Sequence, residues 1–184
     1  MARSALTRLM TLCPGAVVSF LFFCSSLLAA DSGFEPLWNY QGTWEATMAA
    51  PGAKPASNKV QNDCVEFTQY FICQQTVDGK VVALLTFTPA ATKGHFYTDP
   101  VFPDGRAAGR GELEIEGDRW TYPSKEERDG KTKFYRIVNV FSGKDRIHFE
   151  RSESDDDGKT WRVLATGDES RLSHDGTRPD PRRK

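Results

Sequence analysis

Residues 62–75 read NDCVEFTQYFICQQ, and the relation between the two cysteines in that run decides the fold. Cys64 and Cys73 have eight residues between them, in a stretch that otherwise alternates apolar and polar side chains as a strand does. A disulfide, a metal pair, a reactive thiol and two small buried residues are the four readings. If Thr68 and Gln69 form a two-residue turn, Phe67 faces Tyr70 as a hydrogen-bonded pair, and stepping outward sets Cys64 opposite Cys73 at a non-hydrogen-bonded position. Cα atoms there lie about 4.5 Å apart, within the reach of a disulfide. Such a bridge contributes about 2.5 to 3 kcal/mol on the chain-entropy account. Thr-Gln is a poor sequence for the tightest turns, which favour Gly or Asn, but a longer turn keeps the pairing. Zinc needs more ligands than two thiolates and no His stands at zinc spacing; nothing adjacent lowers a thiol pKa. The disulfide is the expectation.

The N-terminus bears on the same question. MARSALTRLM carries Arg3 and Arg8 and no acid, residues 9–30 carry no charge, and the run ends in SSLLAA before Asp31. A basic start, an apolar middle and small residues at the end make a signal-peptide layout, so residues 1–30 are read as a cleaved signal and the protein as periplasmic or secreted. An uncleaved anchor is the alternative, because the uncharged run is about as long as the ~20 residues that span a bilayer. Cleavage removes Cys13 and Cys24, leaving two of the four cysteines, an even remainder that suits a disulfide in an oxidising compartment.

What remains has the length of one domain. The chain holds 24 Lys and Arg against 25 Asp and Glu. Without Arg3 and Arg8 the formal charge is near −3, which argues against nucleic acid as a partner. After cleavage no membrane span is expected, and the sequence does not fix an oligomeric state.

Along the remainder the apolar period is two. VVALLTFTP from Val81, GHFYTDP from Gly94, GELEIEGDRWTYP from Gly111, KTKFYRIVNVFS from Lys131, DRIHFERSES from Asp145 and KTWRVLATGDESR from Lys159 are β-branched or aromatic runs. VDGK, FPDGRAAG, EGD, ERDGK, SGKD and SDDDGK punctuate them as turns. With GTWEATM and the cysteine hairpin this makes an all-β chain of about 8–10 strands. Short turns between successive strands predict an antiparallel up-and-down β-barrel, which hides its edges by closing, with a β-sandwich as the alternative. The barrel domain is placed at residues 31–172, and residues 173–184 form a disordered basic tail ending in Arg182, Arg183 and Lys184. Residues 49–59, rich in Pro, Ala, Gly and Ser, read as a flexible loop that can cover a barrel mouth.

Alternation assigns faces. Val65, Phe67, Tyr70 and Ile72 form the more apolar row of the hairpin and are placed inward, with the disulfide on the outer wall; Val81, Ala83, Leu85 and Phe87 make the matching row of the next strand. These rows either line a cavity or fill a core. His148 and Glu150 share one face and are the candidate polar pair. The candidate ligand-binding set is therefore Phe67, Tyr70, Ile72, Leu85, Phe87, His148 and Glu150.

Chemistry is otherwise sparse. No phosphate loop, HExxH or GxSxG occurs, and no catalytic residue, metal site or cofactor is assigned. Haem would need His95 or His148 as axial ligand, and neither has a supporting context. SDDDGKTW, residues 154–161, resembles the Asp-box of sialidase-type propellers, which is a structural hairpin there: Asp156 bonds turn amides, Gly158 takes positive φ and Trp161 packs beneath. A calcium loop from Glu153 would require Glu at position twelve, where Leu164 stands.

Gly42-Thr-Trp44 at the first strand and Arg171 after the last, in DESRL, resemble the calycin pattern of lipocalins and their relatives. The layout from QGTWEA to SDDDGKTWRVLATGDESR, residues 38–172, is similar to a bacterial secreted calycin-like family of unassigned function. The resemblance implies that Arg171 packs over Trp44 to close the barrel base, by stacking and cation-π attraction. The resemblance bears on the barrel more than on any ligand; binding of a small hydrophobic or amphipathic ligand inside the barrel is the activity expected. The Thr-Asp-Tyr lipocalin element is absent. Two rivals remain: a cell-envelope interaction module with a filled core, and an enzyme using a buried His148 and Glu150.

Overall fold

In the computed structural model, which describes residues 33–174, the period-two runs become ten antiparallel strands. They are β1 (Gly42–Ala49), β2 (Ala56–Glu66), β3 (Phe71–Val77), β4 (Lys80–Pro89), β5 (His95–Val101), β6 (Gly111–Glu116), β7 (Arg119–Arg128), β8 (Lys131–Phe141), β9 (Arg146–Ser154) and β10 (Arg162–Ser173). Each pairs with its neighbours in sequence, and β10 returns to β1, so the meander closes into a barrel. Closure removes the sheet edges that an open meander would expose. Among the described residues, no helix is long and apolar enough to cross a membrane. The expected signal segment, residues 1–30, and the last ten residues of the expected tail lie outside the described residues.

The cysteine hairpin is β2–β3. Phe67 donates its N–H to the Tyr70 carbonyl at 2.8 Å, and Cys64 stands directly opposite Cys73 with Cα atoms 4.0 Å apart and the sulfurs bonded. The expected faces, however, are reversed. Phe71 and Cys73 are wholly buried, whereas Phe67 is 45% and Tyr70 39% exposed, so Val65, Phe67, Tyr70 and Ile72 lie on the outer wall. Counting apolar residues misled because a disulfide is itself a compact apolar body and because one large ring outweighs several smaller outer contacts. Phe71 packs on Phe34 at 6.0 Å, on Trp38 edge-on at 5.0 Å and on Phe87 at 6.3 Å.

On β4, Ala83, Leu85 and Phe87 do continue the inner row, opposite Gln75, Cys73 and Phe71. Val81 does not, because a bulge between Gln75 and Thr76 adds a residue to β4 and turns Val81 outward. The loop after β1 is shorter than expected, residues 50–55, since β2 takes in Ala56 to Lys59. Strand β7 continues through Pro123 to Arg128.

A 3₁₀ turn, Glu35–Tyr40, precedes β1. Pro36 sits in its first positions, where a missing N–H costs nothing. Phe34 and Leu37 from this segment are wholly buried and contribute about 1.5 to 3 kcal/mol each. They pack with Trp44, Phe71, Phe87, Phe96, Leu113, Trp120, Phe141 and Ile147. Antiparallel order brings the Gly42, Glu66, Phe71, Pro89, His95, Glu116, Arg119, Phe141, Arg146 and Ser173 strand ends together. Most of that cluster lies toward this end, which the turn plugs, so the densest packing is near the base and the remaining space lies above it.

Candidate functional site

The plug ends at Tyr40, and its position organises the interior. The Tyr40 carbonyl accepts from the Trp44 indole N–H at 3.1 Å and from the Asn62 side-chain amide at 3.3 Å. These bonds fix the backbone from which the Tyr40 ring rises, edge-on to Trp120 at 4.8 Å. At its tip the Tyr40 hydroxyl bonds the Tyr122 hydroxyl and accepts from the Asn139 amide at 3.2 Å. Burial raises the Tyr40 and Tyr122 phenols far above their ordinary range, so both stay neutral and protonated. They share two hydroxyl protons, of which one lies between them. The other remains for a third group.

Above these tyrosines is a cavity of about 360 Å³. Its apolar wall is formed by Val60, Leu85, Phe87, Pro100, Ile137 and Phe149, together with the disulfide at Cys73. Its polar groups are Tyr40, Tyr122, Asn62, Gln75, Thr98, Asn139 and Glu169. Gln75 donates to Asn62 at 3.2 Å, so part of this polar set is internally satisfied. An apolar wall with placed polar groups is the makeup of a small-molecule site, and the volume lies near the lower end of the usual range of about 300–1,000 Å³.

Strand β10 supplies the charged member. Gly167, Glu169 and Arg171 follow one another on its inner row, opposite Phe149, Ile147 and the base. At Gly167 a Cβ would lie 2.2 Å from the Phe149 ring and 2.3 Å from the Thr47 carbonyl oxygen; the missing side chain leaves room for Phe149 against the strand. Glu169 comes next and is half-buried. Burial pushes its carboxyl up to about 6 from 4.5. Arg171 closes the row, with its guanidinium 3.9 Å from the Trp44 ring centroid. It donates to the carbonyls of Asn39 at 2.9 Å, Lys144 at 2.6 Å and Gln41, and pairs with Asp145 at 3.2 Å.

Of the residues put forward from sequence, Leu85 and Phe87 line the cavity. Phe67, Tyr70 and Ile72 do not, for the reason of face given above. His148 and Glu150 do share a face, but it is the outer one. His148 bonds Asp168 at 2.9 Å with both side chains exposed. Glu150 accepts from Ser152 at 3.1 Å and lies 3.7 Å from Arg136. Burying the neighbours Ile147 and Phe149 turns this polar pair outward by simple alternation. Among the described residues no histidine lines the cavity; His95 begins β5 near the base and His174 bonds Asp145.

Sequence reasoning missed Tyr40, Tyr122, Asn139, Phe149 and Glu169. The signal for Glu169 was present, since placing Arg171 inward places Glu169 on the same row. Tyr40 was hidden in EPLWNY, a six-residue turn too short for a helical period.

The Asp-box-like turn is built from its own side chains. Asp156 accepts from the Thr160 hydroxyl at 2.6 Å, the Thr160 N–H at 2.8 Å and Ser154 at 2.7 Å; these bonds hold its carboxyl down to about 2. Gly158 takes φ +78° against the Trp161 ring, and Arg136 covers that ring at 4.1 Å. Glu153 and Asp155 pair with Lys133 at 3.5 and 3.3 Å. Among the described residues no three His, Cys, Asp or Glu side chains converge as a metal site would require.

No protein-family model matches this sequence, and no curated protein does. Solved structures similar to it include Rv2717c from M. tuberculosis, at 14% identity and TM-score 0.45, covering 77% of this chain and 98% of that one. A redesigned beta barrel matches at 9% identity and TM-score 0.34, covering 73% and 93%. EF1p2_mFAP2b bound to DFHBI matches at 12% identity and TM-score 0.32, covering 73% and 95%. The architecture described above rests on the strand pairing of this chain itself.

Proposed function

We propose that this chain is an exported, calycin-like barrel that binds a small amphipathic ligand in the space above its aromatic plug. The observation that carries this reading is the 360 Å³ cavity, whose walls are mainly aliphatic and aromatic and whose floor is a tyrosine pair. A filled core would leave no such space, and the plug confines the packed layer to one end. An enzyme working through His148 and Glu150 loses its support, because both stand on the outer wall.

The ligand's apolar body replaces water against Leu85, Phe87 and Phe149, and each apolar Å² removed from water is worth about 25 cal/mol before ordering costs. The free phenol proton and the polar side chains then fix its orientation. Export is supported by the pattern of residues 1–30 and by the disulfide-bonded pair that remains beyond it. Native mass spectrometry of the protein recovered from the periplasm or medium tests both parts. A discrete mass released on denaturation is expected, on a chain that begins near residue 31. A chain recovered in the cytoplasm with its N-terminus intact would overturn export; failure to take up the neutral probe Nile red would overturn the binding cavity.

A further inference from the structure

We infer that the ligand is a small protonated amine with an apolar body, its ammonium on the Glu169 carboxylate and its body against Leu85, Phe87 and Phe149. This inference rests on the ligand-cavity reading above and names the ligand's charge.

Its basis is the charge inventory of the cavity. Glu169 is the acid among the lining residues, and among the described residues no Lys, Arg or His lines the same space. The cation nearest along the inner row, Arg171, points to the base, where Asp145 and three carbonyls hold it and Trp44 covers it. Its neighbours across the sheet are Ala46 on β1 and Ile147 on β9, neither of which offers charge or a hydrogen bond. Asp168 and His148 bond each other on the outside of the same two strands. The other ionisable groups facing Glu169 are Tyr40 from the plug and Tyr122 from β7, both held neutral by burial; β8 contributes Ile137 and Asn139.

A carboxylate without a counter-charge in an apolar cavity is costly, and the cost is relieved by a cation that enters with the ligand. The aromatic lining adds to the attraction, since Tyr40, Phe87 and Phe149 border the same space and a cation is drawn to aromatic rings. The converse disfavours a class: a fatty acid or other anion would bring a second negative charge beside Glu169, with no basic side chain among the described residues lining the cavity to receive it.

The test uses three probes that share a body and differ in the head group: octylamine, 1-octanol and octanoate. Each is titrated into the mature, disulfide-bonded protein while displacement of Nile red is followed. At about pH 8 octylamine is expected to bind at least about tenfold more tightly than octanol, and octanoate more weakly than either. Glu169→Gln is expected to remove the preference for the amine over octanol, and uptake of Nile red by the variant shows that it is folded. Lowering the pH to about 5 should weaken octylamine alone, since alkyl amines stay protonated throughout that interval while Glu169 gains its proton near 6. Octanol or octanoate binding as well as octylamine would overturn the inference and leave the cavity reading standing. Failure of the protein to bind Nile red or any of the three would overturn both.

Discussion

Trp44 and Arg171 face each other across paired strands β1 and β10, and the Arg171 guanidinium lies 3.9 Å from the indole centroid. The same guanidinium reaches the carbonyls of Asn39, Gln41 and Lys144. It thereby ties the plug, the start of β1 and the β8–β9 turn to one side chain, in a fork that an ammonium cannot reproduce. Arg171→Lys is therefore expected to cost about 2 to 4 kcal/mol, because a lysine ammonium cannot keep all of these carbonyl bonds at once. Urea unfolding at equal m-value measures it. A change below about 0.5 kcal/mol would mean that water replaces the fork.

Gly167 makes a sharper steric prediction. A Cβ there would overlap the Phe149 ring and approach the Thr47 carbonyl at 2.3 Å, and backbone cannot retreat as a side chain can. Gly167→Ala should cost about 1 to 3 kcal/mol and displace Phe149 into the cavity. Nile red affinity should fall with stability, whereas a substitution on the outer wall, such as Val163→Ala, should leave it unchanged.

The Cys64–Cys73 bridge closes a loop with sequence separation 9, for which the chain-entropy account gives about 2.5 to 3 kcal/mol. Cys73 is wholly buried. Reduction by dithiothreitol should accordingly be slow in buffer and fast in urea, and the reduced protein should unfold at lower denaturant by that amount. Fast reduction of the folded protein would show that the hairpin opens locally.

What was legible in the sequence is the part governed by period and turn chemistry. The barrel follows from alternating runs and their Gly and Asp turns, and the bridge follows from counting outward from Thr68 and Gln69. Which face of the cysteine hairpin turns inward was not legible, because both rows carry apolar residues and the decision belongs to Phe34, Trp38 and Phe87, residues remote in sequence that meet Phe71 only once the barrel closes. The cavity floor was hidden for the same reason. Tyr40 and Tyr122 are 82 residues apart, and no local pattern announces their contact. Once Arg171 is placed inward, by contrast, alternation alone sets Glu169 beside the cavity.

Glu169 also predicts how stability depends on pH in the ligand-free protein. Burial raises its carboxyl from 4.5 to about 6, so the folded chain holds this proton more tightly than the unfolded chain. The resulting stabilisation is complete below about pH 4.5 and is lost as pH rises through 6. The loss is at most about 2 kcal/mol, reduced by whatever water reaches the half-buried group. Asp156 acts in the opposite sense. Thr160 and Ser154 hold its carboxyl at about 2, so its contribution is present above the ordinary carboxylate range and is lost only as pH falls toward 2. Between about pH 4.5 and 8 the slope therefore belongs to Glu169 among these two groups. Glu169→Gln removes that titration and should stabilise the ligand-free protein at about pH 8 while changing little at about pH 4.5, as read from urea midpoints at both values. Equal shifts at the two pH values would assign the effect to packing of the amide and not to charge. Greater stability of the variant without ligand, joined to loss of amine affinity, is the pairing expected of a buried charge retained for binding and not for the fold.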